Sequence, residues 1–183
     1  EVDLKHPEGK DLFFQLIERC DVVLENYRVG ALARLGLGYE AAKARNPGII
    51  YCSVSGFGQD GPYRDRAALD LILQAESGMI STTGEPGGHG VRCGVSIADM
   101  TAGMYAAFGI MLALRVKERT GPGQAIDVSM LEGQLSLLGS MIGAYFADGE
   151  VPLPMGTAYK ALLPYQTFRT KTRDLALAVG SEK

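Results

Sequence analysis

The sequence has few of the side chains from which covalent or metal frameworks are built. Its three cysteines, Cys20, Cys52 and Cys93, lie far apart without a C-x-x-C pair, and its two histidines are His6 and His89. A disulfide framework, a structural zinc site and a histidine-rich metal site are therefore not expected. Cysteine usage of this kind favours a reducing compartment, so we expect a cytoplasmic protein that binds no metal.

An excess of basic residues and a long hydrophobic run are also lacking. The chain has 18 lysines and arginines against 21 aspartates and glutamates, for a net charge of −3. A nucleic-acid surface needs a clustered basic face, so nucleic acid is not an expected partner. The longest apolar run, residues 102–114, is too short to span a bilayer, so a membrane is not expected either.

Hydrophobic periodicity alternates between strand and helix along most of the 183 residues. This alternation predicts an α/β fold with a mainly parallel sheet flanked by helices. Prolines at 152, 154 and 164 break the pattern after about residue 148, where we predict a crossover into a second, smaller unit. The predicted strands are 21–26, 48–55 and 124–129, the predicted helices are 8–19, 39–45, 69–77, 99–119 and 131–146, and 81–94 is a predicted loop.

Asp99 is the most informative acidic residue, in a chain without a GxxxxGK[ST] phosphate loop, a GxSxG elbow or an HExxH motif. It stands at the predicted start of the long helix, next to the small residues Thr101, Ala102 and Gly103. Free backbone amides and the helix dipole favour an ionised carboxylate at that place. Such an aspartate is either a helix cap or a nucleophile that a thioester can approach, and composition does not choose between them.

Five blocks of sequence carry a family resemblance. They are DVVLENYRVGALARLGL at 21–37, NPGIIYCSVSGFGQDGP at 46–62, TGEP at 83–86, IADMTAG at 97–103 and RTGPGQAIDVSMLE at 119–132. In order and spacing these blocks resemble the family III CoA-transferases, also called the CaiB/BaiF family. The resemblance implies a partial, Rossmann-like CoA-binding domain at 1–147 and the incomplete start of a smaller domain at 148–183. It also implies acyl-CoA and a small carboxylic acid as substrates, and a homodimer.

The resemblance implies catalytic roles for two aspartates. The carboxylate of Asp99 would attack the acyl-CoA thioester, pass through an aspartyl anhydride and an aspartyl-CoA thioester, and deliver CoA to the acceptor acid. Asp70 would assist the acceptor acid. Asp70 and Gln74 are one helical turn apart and share a face, so the alternative for them is an exposed helix pair.

The resemblance also implies five CoA-binding positions, which are Asn26, Tyr27, Arg34, Leu35 and Met130. Asn26 and Tyr27 would line the CoA site, Arg34 would hold a phosphate, and Leu35 would cover the adenine. Met130 would lie near the cofactor. The alternatives are a turn residue for Asn26, a solvated helix charge for Arg34 and a core position for Met130.

Two other functions compete with CoA transfer. The α-methylacyl-CoA racemases share this fold and use a histidine near position 69, where this chain has Leu69. Leucine cannot exchange a proton, which disfavours racemisation by that route. The third possibility is a catalytically silent remnant that binds CoA or forms an oligomer.

Overall fold

The structure, a computed structural model, describes residues 1–180 of the chain. The predicted strands and helices up to residue 129 are found with bounds shifted by a few residues. Two short helices, Ala31–Arg34 and Met79–Thr82, were not predicted by periodicity. Within residues 1–180 the elements are α1 Pro7–Ile17, β1 Val22–Glu25, α2 Ala31–Arg34, α3 Tyr39–Arg45, β2 Ile50–Ser55, α4 Asp70–Glu76, α5 Met79–Thr82, α6 Ile97–Thr120, β3 Ala125–Ser129, α7 Met130–Leu137, α8 Gly139–Asp148, β4 Tyr165–Arg169 and β5 Asp174–Ala178.

Three parallel strands form the main sheet in the order β1-β2-β3. Val22 pairs with Ile50, and Tyr51 pairs with Ala125, so β2 is the central strand. Its residues are almost continuously buried, as expected for a parallel strand that is covered on both faces. The predicted α/β fold, a Rossmann-like parallel sheet flanked by helices, is thereby confirmed.

Two hydrophobic cores cover the two faces of this sheet. Adjacent residues of β2 contribute to different cores, because side chains alternate between faces along a strand. Tyr51 packs with Ile17 and Leu37, and its hydroxyl donates a hydrogen bond of 3.0 Å to the Leu37 carbonyl. Cys52 belongs to the core on the other face, together with Leu73 of α4, Ala102 of α6 and Val128 of β3.

The predicted helix 131–146 is wrong as a single element. The structure has α7 and α8 in its place, separated at Leu138, whose backbone dihedrals are φ −88° and ψ 8°. The Leu138 amide donates to the Leu135 carbonyl in a tight final turn of α7. Burial of Leu138 at 6% exposure, followed by the flexible Gly139, favours a change of direction over a continuous helix.

Helix α6 is the central helix of the fold. It contacts β2, β3, α4 and α7, as a core helix of a globular domain does. By length and composition alone it is also the one helix in residues 1–180 that could cross a membrane. The expectation that no membrane is involved therefore stays a prediction.

A separate two-stranded antiparallel sheet, β4 and β5, follows α8. Its register pairs Tyr165 with Ala178 and Arg169 with Asp174, and most of its side chains are exposed. The predicted boundary near residue 148 coincides with the end of α8, and the division into two domains stays a prediction.

Asn46 joins two connections of the sheet, the one between α1 and β1 and the turn before β2. Its side-chain amide donates to the carbonyls of Ile17 and Cys20, at 2.9 and 3.0 Å. Its Oδ1 accepts the Gly48 amide at 3.0 Å. One side chain thus joins the end of α1 to the loop that enters β2.

We expect Asn46→Ala to lower the free energy of unfolding by about 2–4 kcal/mol, because it removes three hydrogen bonds and leaves their partners unpaired. Asn46→Asp is the matched control. It keeps the acceptor for Gly48 but places a carboxylate oxygen against the carbonyls of Ile17 and Cys20, so its loss should be at least as large as that of Asn46→Ala. Urea unfolding measures the series, and equal stability of all three proteins would contradict this role.

Candidate active site

A cavity of about 1220 Å³ opens at the carboxyl-terminal ends of the three parallel strands. The residues that directly follow β1, β2 and β3 are Asn26, Gly56 and Met130, and all three line it. In open α/β sheets this edge is where ligands bind. The cavity therefore lies where the fold itself provides a binding site.

Asp99 lies in the wall of this cavity, on the first turn of α6. The helix begins at Ile97, two residues before the predicted start, which makes Asp99 its third residue. Ala102, Gly103 and Ala106 line the cavity beside it, at the spacing of one helix face. An added Cβ on Gly103 would meet no atom within 4 Å, so the space next to the carboxylate is open.

The carboxylate of Asp99 has no hydrogen-bond or ion-pair partner among residues 1–180, so it is not engaged as a helix cap. It keeps contact with solvent, yet the cavity wall removes part of its hydration. This desolvation, and then the nearby charge of Asp70, raise the pKa of Asp99. The expectation that the helix terminus simply favours the ionised form is therefore wrong in direction.

Asp70 lines the same cavity from the first turn of α4. Its Oδ1 accepts the backbone amide of Ala98 at 2.8 Å, and its Oδ2 accepts the side-chain amide of Gln74 at 2.6 Å. Asp70, and not Asp99, therefore binds a free amide at the start of α6. This contact holds a second negative charge beside the first, which adds to desolvation, the larger cause, in raising the pKa of Asp99.

Four arginines line the cavity, and the sequence analysis singled out Arg34 alone. Arg28 and Arg64 were missed, as was Arg66, which stacks on the aromatic rings of Phe57 and Tyr63 and pairs with Glu76. Arg28 lies in the loop after β1, and the other two lie in the loop after β2. No local motif in the sequence therefore shows that these three arginines line one cavity. A cavity with several guanidinium groups suits a ligand that carries phosphates.

The structure brings six of the seven predicted site residues to this cavity and leaves out Leu35. Asn26 donates its side-chain amide to the Val54 carbonyl at 2.8 Å, which fixes it between β1 and β2. Tyr27 is 55% exposed at the cavity, ready to cover a ligand. Leu35 packs instead against the core that contains Tyr51, and is absent from the cavity lining.

Met130 combines the two interpretations that the sequence left open. It is 8% exposed and belongs to the core between the sheet and α6, yet it also lines the cavity floor. Its role in binding, like the roles of the other six residues, stays a prediction.

The thiol nearest the centre of the sheet, Cys52, does not compete with Asp99 as a nucleophile. Cys52 is completely buried, and burial, then the charges of Glu25 and Asp127, raises the pKa of its thiol to about 11. A thiol with this pKa is not a nucleophile at neutral pH. Residues 1–180 contain no group of three His, Cys, Asp or Glu side chains that could hold a metal ion.

Comparison with known proteins identifies the class. The sequence model described as CoA-transferase family III matches residues 1–183. The chain is 42% identical over 180 residues to a succinate–glutarate CoA-transferase of Agrobacterium fabrum, covering 98% of this chain and 45% of that protein. It is 38% identical over 182 residues to the succinyl-CoA:glutarate CoA-transferase of Homo sapiens, covering 100% of this chain and 42% of that one.

A solved structure agrees with these sequence relatives. The crystal structure of a CaiB/BaiF family protein from Brucella suis matches with a TM-score of 0.90 and 38% identity, over 98% of this chain and 47% of that one. The chain belongs to CoA-transferase family III. It spans less than half the length of the curated relatives described above.

The raised pKa of Asp99 predicts how stability depends on pH. An aspartate whose pKa is higher in the folded state destabilises the fold when it is ionised, and this cost disappears once the pH falls below its ordinary pKa. We expect Asp99→Asn to raise the urea midpoint at neutral pH, with a gain that shrinks as the pH falls through the acidic range.

Asp60→Asn is the control, because Asp60 is an exposed carboxylate outside the cavity lining. It should leave the midpoint nearly unchanged at each pH. A lower midpoint for Asp99→Asn at neutral pH would contradict the pKa direction.

Proposed function

We propose that this protein transfers coenzyme A from an acyl-CoA donor to a carboxylic acid acceptor, with Asp99 as the covalent nucleophile. The observation that carries the proposal is the unpaired Asp99 carboxylate in the cavity wall, with open space beside Gly103. A carboxylate needs no general base to act as a nucleophile once it is ionised. Its raised pKa also makes the ionised form a stronger base, and a stronger base is a better nucleophile.

The steps balance without any further reagent. An Asp99 oxygen attacks the thioester carbonyl, the C–S bond breaks, and CoA leaves as a thiolate. The acyl group is then bound to Asp99 as a mixed anhydride. The thiolate then attacks the Asp99 carbonyl carbon, which releases the donor acid and forms an aspartyl-CoA thioester. The acceptor carboxylate attacks this thioester to give a second anhydride, and the returning thiolate takes the acceptor acyl group and regenerates Asp99.

The cavity provides groups for two parts of the CoA molecule. Arg28, Arg34 and Arg64 suit its phosphates, and the small residues beside Asp99 leave room for the pantetheine arm. We infer that the donor is the CoA thioester of a short dicarboxylic acid and that the acceptor is another such acid. The two relatives at 42% and 38% identity are named for succinate or succinyl-CoA and glutarate.

Racemase chemistry lacks a proton carrier at the position where it would be required. Leu69 lines the cavity and is 75% exposed, but its side chain cannot exchange a proton. Neither His6 nor His89 is among the lining residues. CoA transfer therefore remains the function that this set of side chains supports best.

We also propose that the protein acts as a cytoplasmic homodimer. The support for a partner is the outer face of α6, where Met104, Phe108 and Met111 are more than half exposed. Apolar side chains in such a row are typical of surfaces that contact another segment or chain.

Trapping the covalent intermediate tests the proposed function. After incubation with succinyl-CoA, hydroxylamine should convert Asp99 into a hydroxamate that peptide mass spectrometry localises. Free CoA without an acyl group should give no modification, and neither should Asp99→Asn with succinyl-CoA. An unmodified Asp99 in a protein that still binds CoA would contradict the proposal and favour the silent remnant.

Removing a cavity arginine tests how CoA is oriented. Arg34 lies at the cavity with its guanidinium 3.4 Å from the Val29 carbonyl. We expect Arg34→Ala to weaken CoA binding about tenfold, the equivalent of one charge-assisted hydrogen bond, and to leave pantetheine binding unchanged. Calorimetric titration measures both ligands.

Arg119→Ala is the matched control, since Arg119 is an exposed arginine in the last turn of α6 and lies outside the cavity lining. Equal weakening of CoA and pantetheine by Arg34→Ala, or equal weakening by both arginine variants, would contradict a phosphate contact.

A further inference from the structure

Gln74 is a completely buried polar residue of α4 whose side-chain amide is engaged on both sides. Its Nε2 donates to Asp70 Oδ2 at 2.6 Å and lies 3.4 Å from the Val95 carbonyl. Its Oε1 accepts the backbone amide of Cys93 at 2.8 Å. One side chain thus connects α4 with the segment that leads into α6.

Asp70 extends this connection into α6 itself. Its second oxygen accepts the amide of Ala98, which is one of the four N-terminal amides that have no partner inside a helix. Ser96, the residue at the helix cap position, makes no side-chain capping hydrogen bond. The capping hydrogen bond of α6 is therefore supplied by Asp70 of α4. It binds the amide of Ala98, the residue directly before Asp99.

We propose that Gln74 is a positioning residue for CoA transfer, which acts through Asp70 to hold the first turn of α6, and with it Asp99, in the reactive position. This inference rests on the proposed function of Asp99. The chain of contacts runs from the Cys93 amide through Gln74 and Asp70 to the Ala98 amide. Asp70 acts in it as a positioning residue as well, with each carboxylate oxygen holding one amide group.

The pattern of donors and acceptors explains why residue 74 is a glutamine. The position needs a donor toward Asp70 and an acceptor toward Cys93, and an amide supplies both. A glutamate would place a second carboxylate against Asp70. A methionine of similar length would leave the Asp70 oxygen and the Cys93 amide without partners in a buried environment.

An exchange of the two side-chain types gives a direct test. Gln74→Glu places a second carboxylate against that of Asp70. Asp70→Asn places an amide NH2 group against the NH2 group of Gln74, unless the Gln74 side chain turns and gives up its hydrogen bond with the Cys93 amide. In the double variant the introduced asparagine donates to the introduced glutamate and still accepts from the Ala98 amide, while that glutamate accepts from the Cys93 amide. The hydrogen-bond chain is thereby restored with its donor and acceptor exchanged.

Two readouts follow the four proteins, namely hydrogen exchange of the Cys93 and Ala98 amides and the rate of hydroxylamine trapping at Asp99 with saturating succinyl-CoA. We expect each single variant to exchange faster and to trap more slowly, by about tenfold or more, and the double variant to recover most of both. CoA affinity should stay within about twofold in Gln74→Glu, because Gln74 is not among the residues that line the cavity.

Gln74→Met and Gln134→Met supply the packing control, since Gln134 is an equally buried glutamine, on α7, with neither amide atom hydrogen-bonded in the described part of the chain. Gln74→Met should slow trapping and Gln134→Met should not. Equal trapping in these two variants would overturn the proposal, and so would a double exchange variant as slow as the worse single variant. If wild-type Asp99 is not labelled at all, the proposed function fails, and the exchange of the Cys93 and Ala98 amides alone decides whether the pair holds the helix turn.

Discussion

The carboxylates of Asp70 and Asp99 both lie at the first turn of α6. The chemistry of the cavity depends on which of them binds the free backbone amides of that turn. Asp70 takes the Ala98 amide, which leaves the Asp99 carboxylate without a partner among residues 1–180. The arrangement costs stability, because desolvation and the charge of Asp70 both raise the pKa of Asp99. A site that places an unpaired carboxylate against open space, at this cost, is better explained by reaction with a ligand than by support of the helix.

The parallel sheet determines where this turn lies. Each strand ends at the same edge, so Asn26, Gly56 and Met130 arrive together although they are far apart in sequence. Close packing at this edge depends on small residues, since an added Cβ on Gly56 would lie 2.4 Å from the Ala68 side chain. The segment that carries Ala68 and Asp70 can therefore approach β2 closely enough for α4 to cap α6.

Local patterns in the sequence were sufficient for the three strands of the main sheet, most helices and the position of Asp99, because β-branched runs and glycine–proline breaks act over a few residues. They did not predict β4 and β5. They failed at Leu138, where tertiary burial turns the chain within a continuous apolar pattern. They also failed on the direction of the Asp99 pKa. A helix terminus considered alone lowers an aspartate pKa, and only the fold shows that the cavity wall desolvates Asp99 and that Asp70 brings a second charge to it. Arg28 and Arg64 were missed for the same reason, as their common cavity is a property of the sheet edge.

The charges around the cavity also define the direction in which an acyl-CoA can bind. Arg66 is largely occupied by Glu76 and by the rings of Phe57 and Tyr63, and Arg64 pairs with Asp65 at 3.6 Å. Arg28 and Arg34 are therefore the arginines of the cavity lining that have no acidic partner in residues 1–180. Asp70 and Asp99 repel an anion. In the proposed function an acyl-CoA therefore binds with its phosphates among the arginines and its thioester toward Asp99, whereas the reverse orientation would place phosphates against two carboxylates.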